Sequence, residues 1–255
     1  MLWYAPLEHL DIRYTRLMDA QITRELEARG VAFTRVRGRQ VAANIETGAF
    51  LDSEATTIYK ASQIEEIAWA FRRGQVRDGD KFYFSDLWFP GIEAIPYMAM
   101  FRNIDVEIWG SLHAGSWTQT DFVAGLRAWA ADLERSWFKM MTGAFLGSEF
   151  CKSELLDKGR SHNAEKFHVT GHPFSTADVL GLAGDLPPKE NLVGFAGRLD
   201  GEKQPWKFDE LAMALGGRAR FVRTYDLTLS KPEYFKLLAK AKVVFSSALQ
   251  ENFGY

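Results

Sequence analysis

Residues 191–208 read NLVGFAGRLDGEKQPWKF, and residues 241–255 read AKVVFSSALQENFGY. The first stretch is an apolar strand (Leu192, Val193, Phe195) that runs into Gly194, Gly197 and Arg198, with Lys203 shortly after. That is the composition of a βα loop at the carboxyl end of a parallel strand, where glycines let the backbone approach a ligand and cations overhang a crevice. A guanidinium fork and an ammonium point charge together suit a diphosphate. The second stretch is a buried strand, Val243 to Ser246, whose exit carries Glu251 and Asn252, with Phe253 to pack and Gly254 to open the next turn. A carboxylate at such an exit accepts from sugar hydroxyls, and backbone N–H groups at a following helix start hold phosphate.

GRLDGEKQP resembles the nucleotide-sugar loop of retaining GT-B glycosyltransferases of the group 1 (family 4-like) type. ENFGY resembles the first half of their Glu-x-Phe-Gly…Glu signature. The resemblance implies that Gly197, Arg198 and Lys203 hold the donor diphosphate, together with Asn252, Phe253 and Gly254 at the second loop. It implies that Glu251 touches the transferred sugar. The second Glu of the signature would fall beyond Tyr255, so the carboxylate that grips the donor ribose in that family is expected to be absent. The nucleoside-diphospho-sugar enters as co-substrate, and no cofactor or metal is expected.

Composition bounds the answer. At 255 residues, 47% hydrophobic and 25% charged, the chain is long enough for two ordinary globular domains. A net charge of −2 gives no global pull toward nucleic acid. The single cysteine, Cys151, excludes an internal disulfide and fits a reducing cytoplasm. No secretory or membrane-spanning segment stands out, which predicts a cytoplasmic protein (host cytoplasm if the source is viral) with no membrane partner.

Taken in order, MLWYA (1–5) is a short strand with the exit PLEHLDIRYTR. Thr15 or Asp11 can cap the following helix, which carries Leu17, Ile22 and Leu26 and ends at Gly30. Glu8 and Arg13 lie where open α/β sheets bind ligands and are acceptor-site candidates, although an Arg–Glu pair on a solvated loop reads the same. RVRGR (35–39) is a basic run able to neutralise backbone phosphates, or a solvated tip. Ser62 to Arg73 reads as an amphipathic helix with Ile64, Ile67, Ala68 and Phe71 inward. Asp78-Gly-Asp80 matches a metal-binding Asp-x-Asp only formally, because DGD before a buried strand is ordinary turn chemistry.

The strand Phe82 to Phe84 exits through Ser85, Asp86, Trp88 and Phe89. Asp86 and Trp88 are acceptor-site candidates, the ring able to stack on a base or sugar, and Phe89 reads as core. The strand Ile104 to Trp109 exits through GSLHAGSW. His113 there resembles the His or Asp that retaining GT-B enzymes place beside the reacting sugar, which makes it a catalytic candidate alongside Glu251. Asp121 to Met140 reads as one long helix with Trp129, Leu133 and Trp137 on one face. Cys151 has no acid or His at nucleophile spacing and reads as structural. After the strand Lys166 to Thr170, GHPFSTADVLGLAGDLPPKEN has linker composition, and VTGHPF resembles the hinge between GT-B domains. His168 and His172 alone do not make a metal site.

Strands alternating with helices on both sides of the linker predict an α/β, GT-B architecture: two doubly wound Rossmann-like domains facing across a cleft. Residues 1–175 form the acceptor-side domain and 176–255 a partial donor domain, which would need roughly another hundred residues to be complete. The function implied is retaining transfer of a sugar from a nucleotide-sugar donor. The first half is similar to glycosyltransferases of bacterial viruses that modify DNA bases, which makes a hydroxymethylated base in DNA the expected acceptor and DNA a partner. The alternatives are a polysaccharide or small-molecule acceptor, a non-catalytic binding fragment, or another GT-B-like enzyme such as an epimerase. Donor identity and oligomeric state are not legible.

Overall fold

The computed structural model describes residues 1–10, 13–44 and 51–249. The described residues divide into two compact units, Met1–Asn44 with Leu51–Pro173, and Phe174–Leu249.

The first unit is a six-stranded, wholly parallel sheet in the order β2-β1-β3-β4-β5-β6. Its strands are β1 (Leu2–Ala5), β2 (Phe33–Arg35), β3 (Asp80–Phe84), β4 (Val106–Leu112), β5 (Gly143–Leu146) and β6 (Phe167–Val169). Helices α1 (Thr15–Ala28), α2 (Ser53–Arg72), α3 (Ala94–Arg102), α4 (Arg127–Met140) and α5 (Glu149–Asp157) make the crossovers. The inner strands are covered on both faces, so they read as apolar runs: Trp3, Tyr4, Ala5, Phe82, Phe84 and Ile108 are all buried. Trp3 stacks on Phe82, the residue opposite it in the register. Gly110 is obligatory here, because a Cβ would come within 2.6 Å of the Phe84 carbonyl oxygen and of Leu87.

The second unit repeats the plan on a smaller scale. Its parallel sheet has the order β8-β7-β9, from β7 (Glu190–Phe195), β8 (Arg220–Arg223) and β9 (Ala241–Phe245). The helices are α6 (Thr176–Ala183), α7 (Pro205–Leu215) and α8 (Lys231–Lys240). Phe208 of α7 fills the small core, its ring 5.4 Å from Phe195, 5.5 Å from Phe221 and 6.0 Å from Phe245. In both sheets the first strand is flanked by the second and third. The winding direction therefore reverses beside β1 and beside β7, and the crevice outside their carboxyl ends is where such sheets bind ligands.

Several local expectations are corrected. Tyr14, not Thr15, occupies the N-cap of α1, and the Thr15 hydroxyl instead accepts from the Leu10 amide; Asp11 lies outside the described residues. Helix α2 begins at Ser53 rather than Ser62, capped by Asp52, whose carboxylate accepts from the Ala55 amide at 2.9 Å. The long helix after Asp121 starts as a 3-10 segment, Phe122–Leu126, and continues as α4. There Ala130, Glu134, Trp137 and Phe138 face inward while Trp129 is 53% exposed. The linker is not featureless: Ser175 caps α6 by accepting from the Asp178 amide. In the basic run Arg35 pairs with Asp19 at 3.4 Å, and exposed Arg39 lies 3.6 Å from Glu65. Asp80 has a turn-and-strand role, its carboxylate taking the Met1 ammonium, the Trp3 indole and the Arg77 amide.

Candidate functional site

Two polar clusters lie at the carboxyl edges of the two sheets, one in each unit. In the first, the exits of β1, β3, β4 and β6 bring together Glu8, Asp86, His113 and His172. Glu8 is 3% exposed; its Oε1 accepts from Arg13 at 3.2 Å and from Thr56 at 2.9 Å. Its Oε2 is buried with no hydrogen-bond partner among the described residues. Asp86 accepts from Lys60 Nζ at 3.0 Å and from the Trp88 amide at 3.1 Å. Burial pushes its carboxyl up, but Lys60 and then His113 outweigh this and hold it below the usual carboxylate range. Lys60 also donates to the Trp88 carbonyl at 2.6 Å.

His113 is wired at both nitrogens. Nε2 lies 2.7 Å from the Ser85 carbonyl oxygen, which can only accept, so Nε2 carries the proton. Nδ1 then accepts from the Tyr14 hydroxyl at 2.9 Å. As an acid or base toward a substrate, His113 would first have to surrender one of these bonds. Its ring stacks on that of His172, with centroids 5.0 Å apart and planes at 24°. Burial depresses both imidazoles, His172 to about 3, with the His113 charge contributing to the latter. Both rings are neutral at pH 7.

Sequence reasoning singled out Glu8, Arg13, Asp86 and His113, and the fold collects them at one sheet edge. Trp88 is different. Its indole Nε1 donates to buried Glu134 at 3.1 Å and its ring meets Trp137 edge-on, so it is a packing residue rather than an open stacking surface. Lys60, Thr56, Tyr14 and His172 were missed as site residues. Thr56 and Lys60 share a polar face of α2 with Gln63, at i, i+4 and i+7, the one signal that could have found them.

A test of the Lys60–Asp86 pair is direct. Lys60→Met leaves a largely buried carboxylate with one donor and is expected to cost about 2–3 kcal/mol of stability in urea unfolding. Adding Asp86→Asn should recover part of that loss; a purely additive double variant would mean the pair is not coupled. The imidazoles make a second prediction. A folded pKa below the unfolded value means the unfolded chain binds the extra proton first, so stability is complete above pH 6.5 and falls as pH drops toward 3. Asp86 and Asp80, also held low, act in the same direction at the acid end. Replacing His172 by Asn should flatten the urea midpoint between pH 6.5 and 4.5, and an unchanged slope would contradict its assignment.

In the second unit, the loop after β7 carries Gly197, Arg198, Asp200, Glu202 and Lys203. Arg198 bridges Asp200 and Glu202, and Lys203 lies 3.6 Å from Glu202. Burial raises the Asp200 carboxyl; Arg198 opposes this and Glu202 adds to it. The two cations thus do not hang unopposed over the crevice: the loop brings two carboxylates of its own. A Cβ at Gly197 would press on the Phe195 ring at 3.0 Å, whereas Lys203 Cβ, at 3.6 Å, would be in ordinary contact. The β9 exit is tied to this loop. Ser247 Oγ donates to the carbonyls of Lys203 (2.9 Å) and Gln204 (3.1 Å), and the Leu249 amide donates to that of Glu202 (2.8 Å). Glu251, Asn252, Phe253 and Gly254 lie outside the described residues.

No family model matches the chain, and no curated protein does. Solved structures do. Anabaena HepE, crystallised with UDP and glucose, is 14% identical and aligns over 99% of this chain and 76% of its own, with a TM-score of 0.50. The lipopolysaccharide outer core galactosyltransferase WaaB in its apo form is 10% identical over 99% and 75%, with a TM-score of 0.53. The fold is GT-B. In this GT-B chain no group of three or more His, Cys, Asp or Glu converges as a metal site among the described residues. Nor is any described helix long and apolar enough to cross a membrane.

Proposed function

We propose that this GT-B protein transfers a sugar from a nucleoside-diphospho-sugar to an acceptor hydroxyl, with retention of anomeric configuration. The observation that carries the reading is the loop after β7. Arg198 and Lys203 are held together at the carboxyl end of a central parallel strand and matched by Asp200 and Glu202. A bound diphosphate would replace those carboxylates as the partner of the two cations, and its growing negative charge as the sugar leaves is what they would stabilise. The likeness in fold to HepE, solved with UDP and glucose, and to the galactosyltransferase WaaB supports the donor class. Retention rests on the resemblance of GRLDGEKQP and ENFGY, with Glu251 as the residue that touches the sugar.

The acceptor is assigned to the first cluster. Glu8 Oε2 is a carboxylate oxygen with capacity to accept from a hydroxyl, and Arg13 and Asp86 supply neighbouring charge of both signs. His113 and Tyr14 form the wall beside them. A hydroxymethylated base in DNA, whose primary hydroxyl would be presented by flipping the base out, is the acceptor we would test first. The pairing of Arg35 and Arg39 with acids leaves that choice resting on the sequence resemblance.

The test follows release of nucleoside diphosphate from a panel of nucleotide-sugars, with and without DNA bearing hydroxymethylated bases, and the anomeric configuration of the product by NMR. Release that requires such DNA and yields a retained anomer supports the whole proposal. Release indifferent to DNA keeps the transferase and moves the acceptor to a saccharide or small molecule. An inverted product overturns retention, and absence of turnover with every donor overturns the transferase.

A further inference from the structure

Two described residues other than glycine have positive φ: Asn103 at 53° and Gln204 at 48°. Asn103 explains itself. It stops α3, its amide bonds back to the last turn, and asparagine is the residue type that tolerates the left-handed region after glycine. Gln204 likewise closes a turn, the 3-10 segment Gly201–Lys203, but glutamine is not among the residue types that tolerate this region. Its Cβ is strained in this conformation, and it precedes Pro205, which narrows its backbone choices further. Glycine would sit there without strain.

The conformation is nevertheless fixed from several sides. The Gln204 amide donates to the Gly201 carbonyl at 3.2 Å, and its own carbonyl accepts from the Lys207 amide at 3.0 Å and from Ser247 Oγ at 3.1 Å. The side chain carries a second cost. Gln204 is 9% exposed, and its Oε1 is buried without a hydrogen-bond partner. A buried amide oxygen left unpaired is rare because its lost hydration is not replaced. One residue thus combines a strained backbone with an unsatisfied buried polar atom, immediately after Lys203. Costs of this kind persist where function requires them.

We infer that Gln204 reads the donor: its side-chain amide accepts a hydrogen bond from a hydroxyl of the bound nucleoside-diphospho-sugar, the partner its Oε1 lacks within the described fold. This rests on the proposed donor site, and it adds to that site a residue that selects for hydroxyls rather than for phosphate charge. The hydroxyl belongs either to the ribose or to the transferred sugar, and the ligands chosen below separate the two.

The experiment compares wild type with Gln204→Gly and Gln204→Ala, reading thermal unfolding and calorimetric affinity for UDP and UDP-glucose. If UDP-glucose does not bind, ADP- and GDP-glucose with their diphosphates replace the pair. Gly removes strain and amide together, so Tm should rise by about 1–3 °C while donor affinity falls about 5–10-fold. Ala keeps the strain and removes only the amide, so affinity should fall equally with no rise in Tm. Loss for both the diphosphate and the diphospho-sugar assigns the ribose hydroxyl; loss for the diphospho-sugar alone assigns the transferred sugar. Unchanged affinity in both variants overturns the inference while leaving the donor site standing. A fall in Tm in the Gly variant with unchanged affinity would make Gln204 a structural residue. If wild type binds none of these nucleotides, the donor site and the inference fall together.

Discussion

Replacing Glu134 by alanine is expected to lower the unfolding free energy by about 3–5 kcal/mol, read as a shift of the urea midpoint at constant slope. The carboxylate is fully buried on α4 and accepts four hydrogen bonds: from Trp88 Nε1 (3.1 Å), the Ser116 amide (2.6 Å), Ser116 Oγ (2.6 Å) and Arg160 Nε (3.0 Å). Arg160, 6% exposed, spends its other donors on the Lys158 carbonyl and Ser116 Oγ. Truncating Glu134 leaves a buried guanidinium uncompensated and three neutral donors without that acceptor, which is why the cost exceeds that of an ordinary cavity. Glu134→Gln, which keeps the shape but brings an NH₂ where donors already point, should fall between. Adding Arg160→Leu to the alanine variant should restore part of the loss, because the stranded charge goes too. A change within about 1 kcal/mol for the alanine variant would refute this account.

The network adjoins the candidate site of the first unit. Ser116 lies in the loop that follows His113, and its carbonyl also accepts from Arg127 Nε at 2.9 Å. The loop is therefore held from behind by charge-assisted bonds on one residue, and its front is left to Tyr14 and the Ser85 carbonyl.

Arg198→Ala is expected to reduce kcat/KM for the nucleotide-sugar by about 10²–10³-fold, comparable to losing one donor to a developing oxyanion. The reason is twofold. The guanidinium is the fork that can meet a phosphate at two oxygens, and it also restrains Asp200 and Glu202. Without it, two carboxylates remain beside Lys203 and repel the diphosphate, so the loss should exceed that of the phosphate contact alone. Arg198→Lys restores charge without the fork and should recover only part of the rate. A variant that also carries Glu202→Gln should recover affinity relative to Arg198→Ala. An alanine variant with wild-type kcat/KM, measured with a donor that wild type uses, would remove this loop from the donor site.

How far the sequence carried these conclusions differs by element. The parallel strands were legible because apolar runs bounded by glycine and turn residues have few other readings, as at NLVGF and KFYFS. The loop after β7 was legible as a local cluster of charges because its residues are close in sequence. The polar cluster at the edge of the first sheet was legible only in part, since its bonds join residues far apart, such as Tyr14 with His113 and Thr56 with Glu8. A parallel sheet gathers residues from separate crossovers at one edge, and local patterns carry no record of which will meet. Trp129 was misplaced for a simpler reason. Each step of four residues overshoots a helical turn by about 40°, so by Trp137 the stripe has rotated off the Trp129 face. Glu134 was missed because a buried carboxylate looks, in sequence, like any solvent-facing one.

Helix α2 also acts as a strut. Thr56 holds Glu8 after β1, Lys60 holds Asp86 and the Trp88 carbonyl after β3, and Gln63 donates to the carbonyls of Pro6 and Val36 at 2.9 and 2.8 Å. Three loops that follow three different strands are thus fastened to one rigid rod. They cannot breathe independently: a ligand that pulls Glu8 away from Thr56 strains the tether on Asp86 as well. This edge of the first sheet is therefore mechanically a single part, and a change in what it holds would have to move the rod rather than retouch one loop.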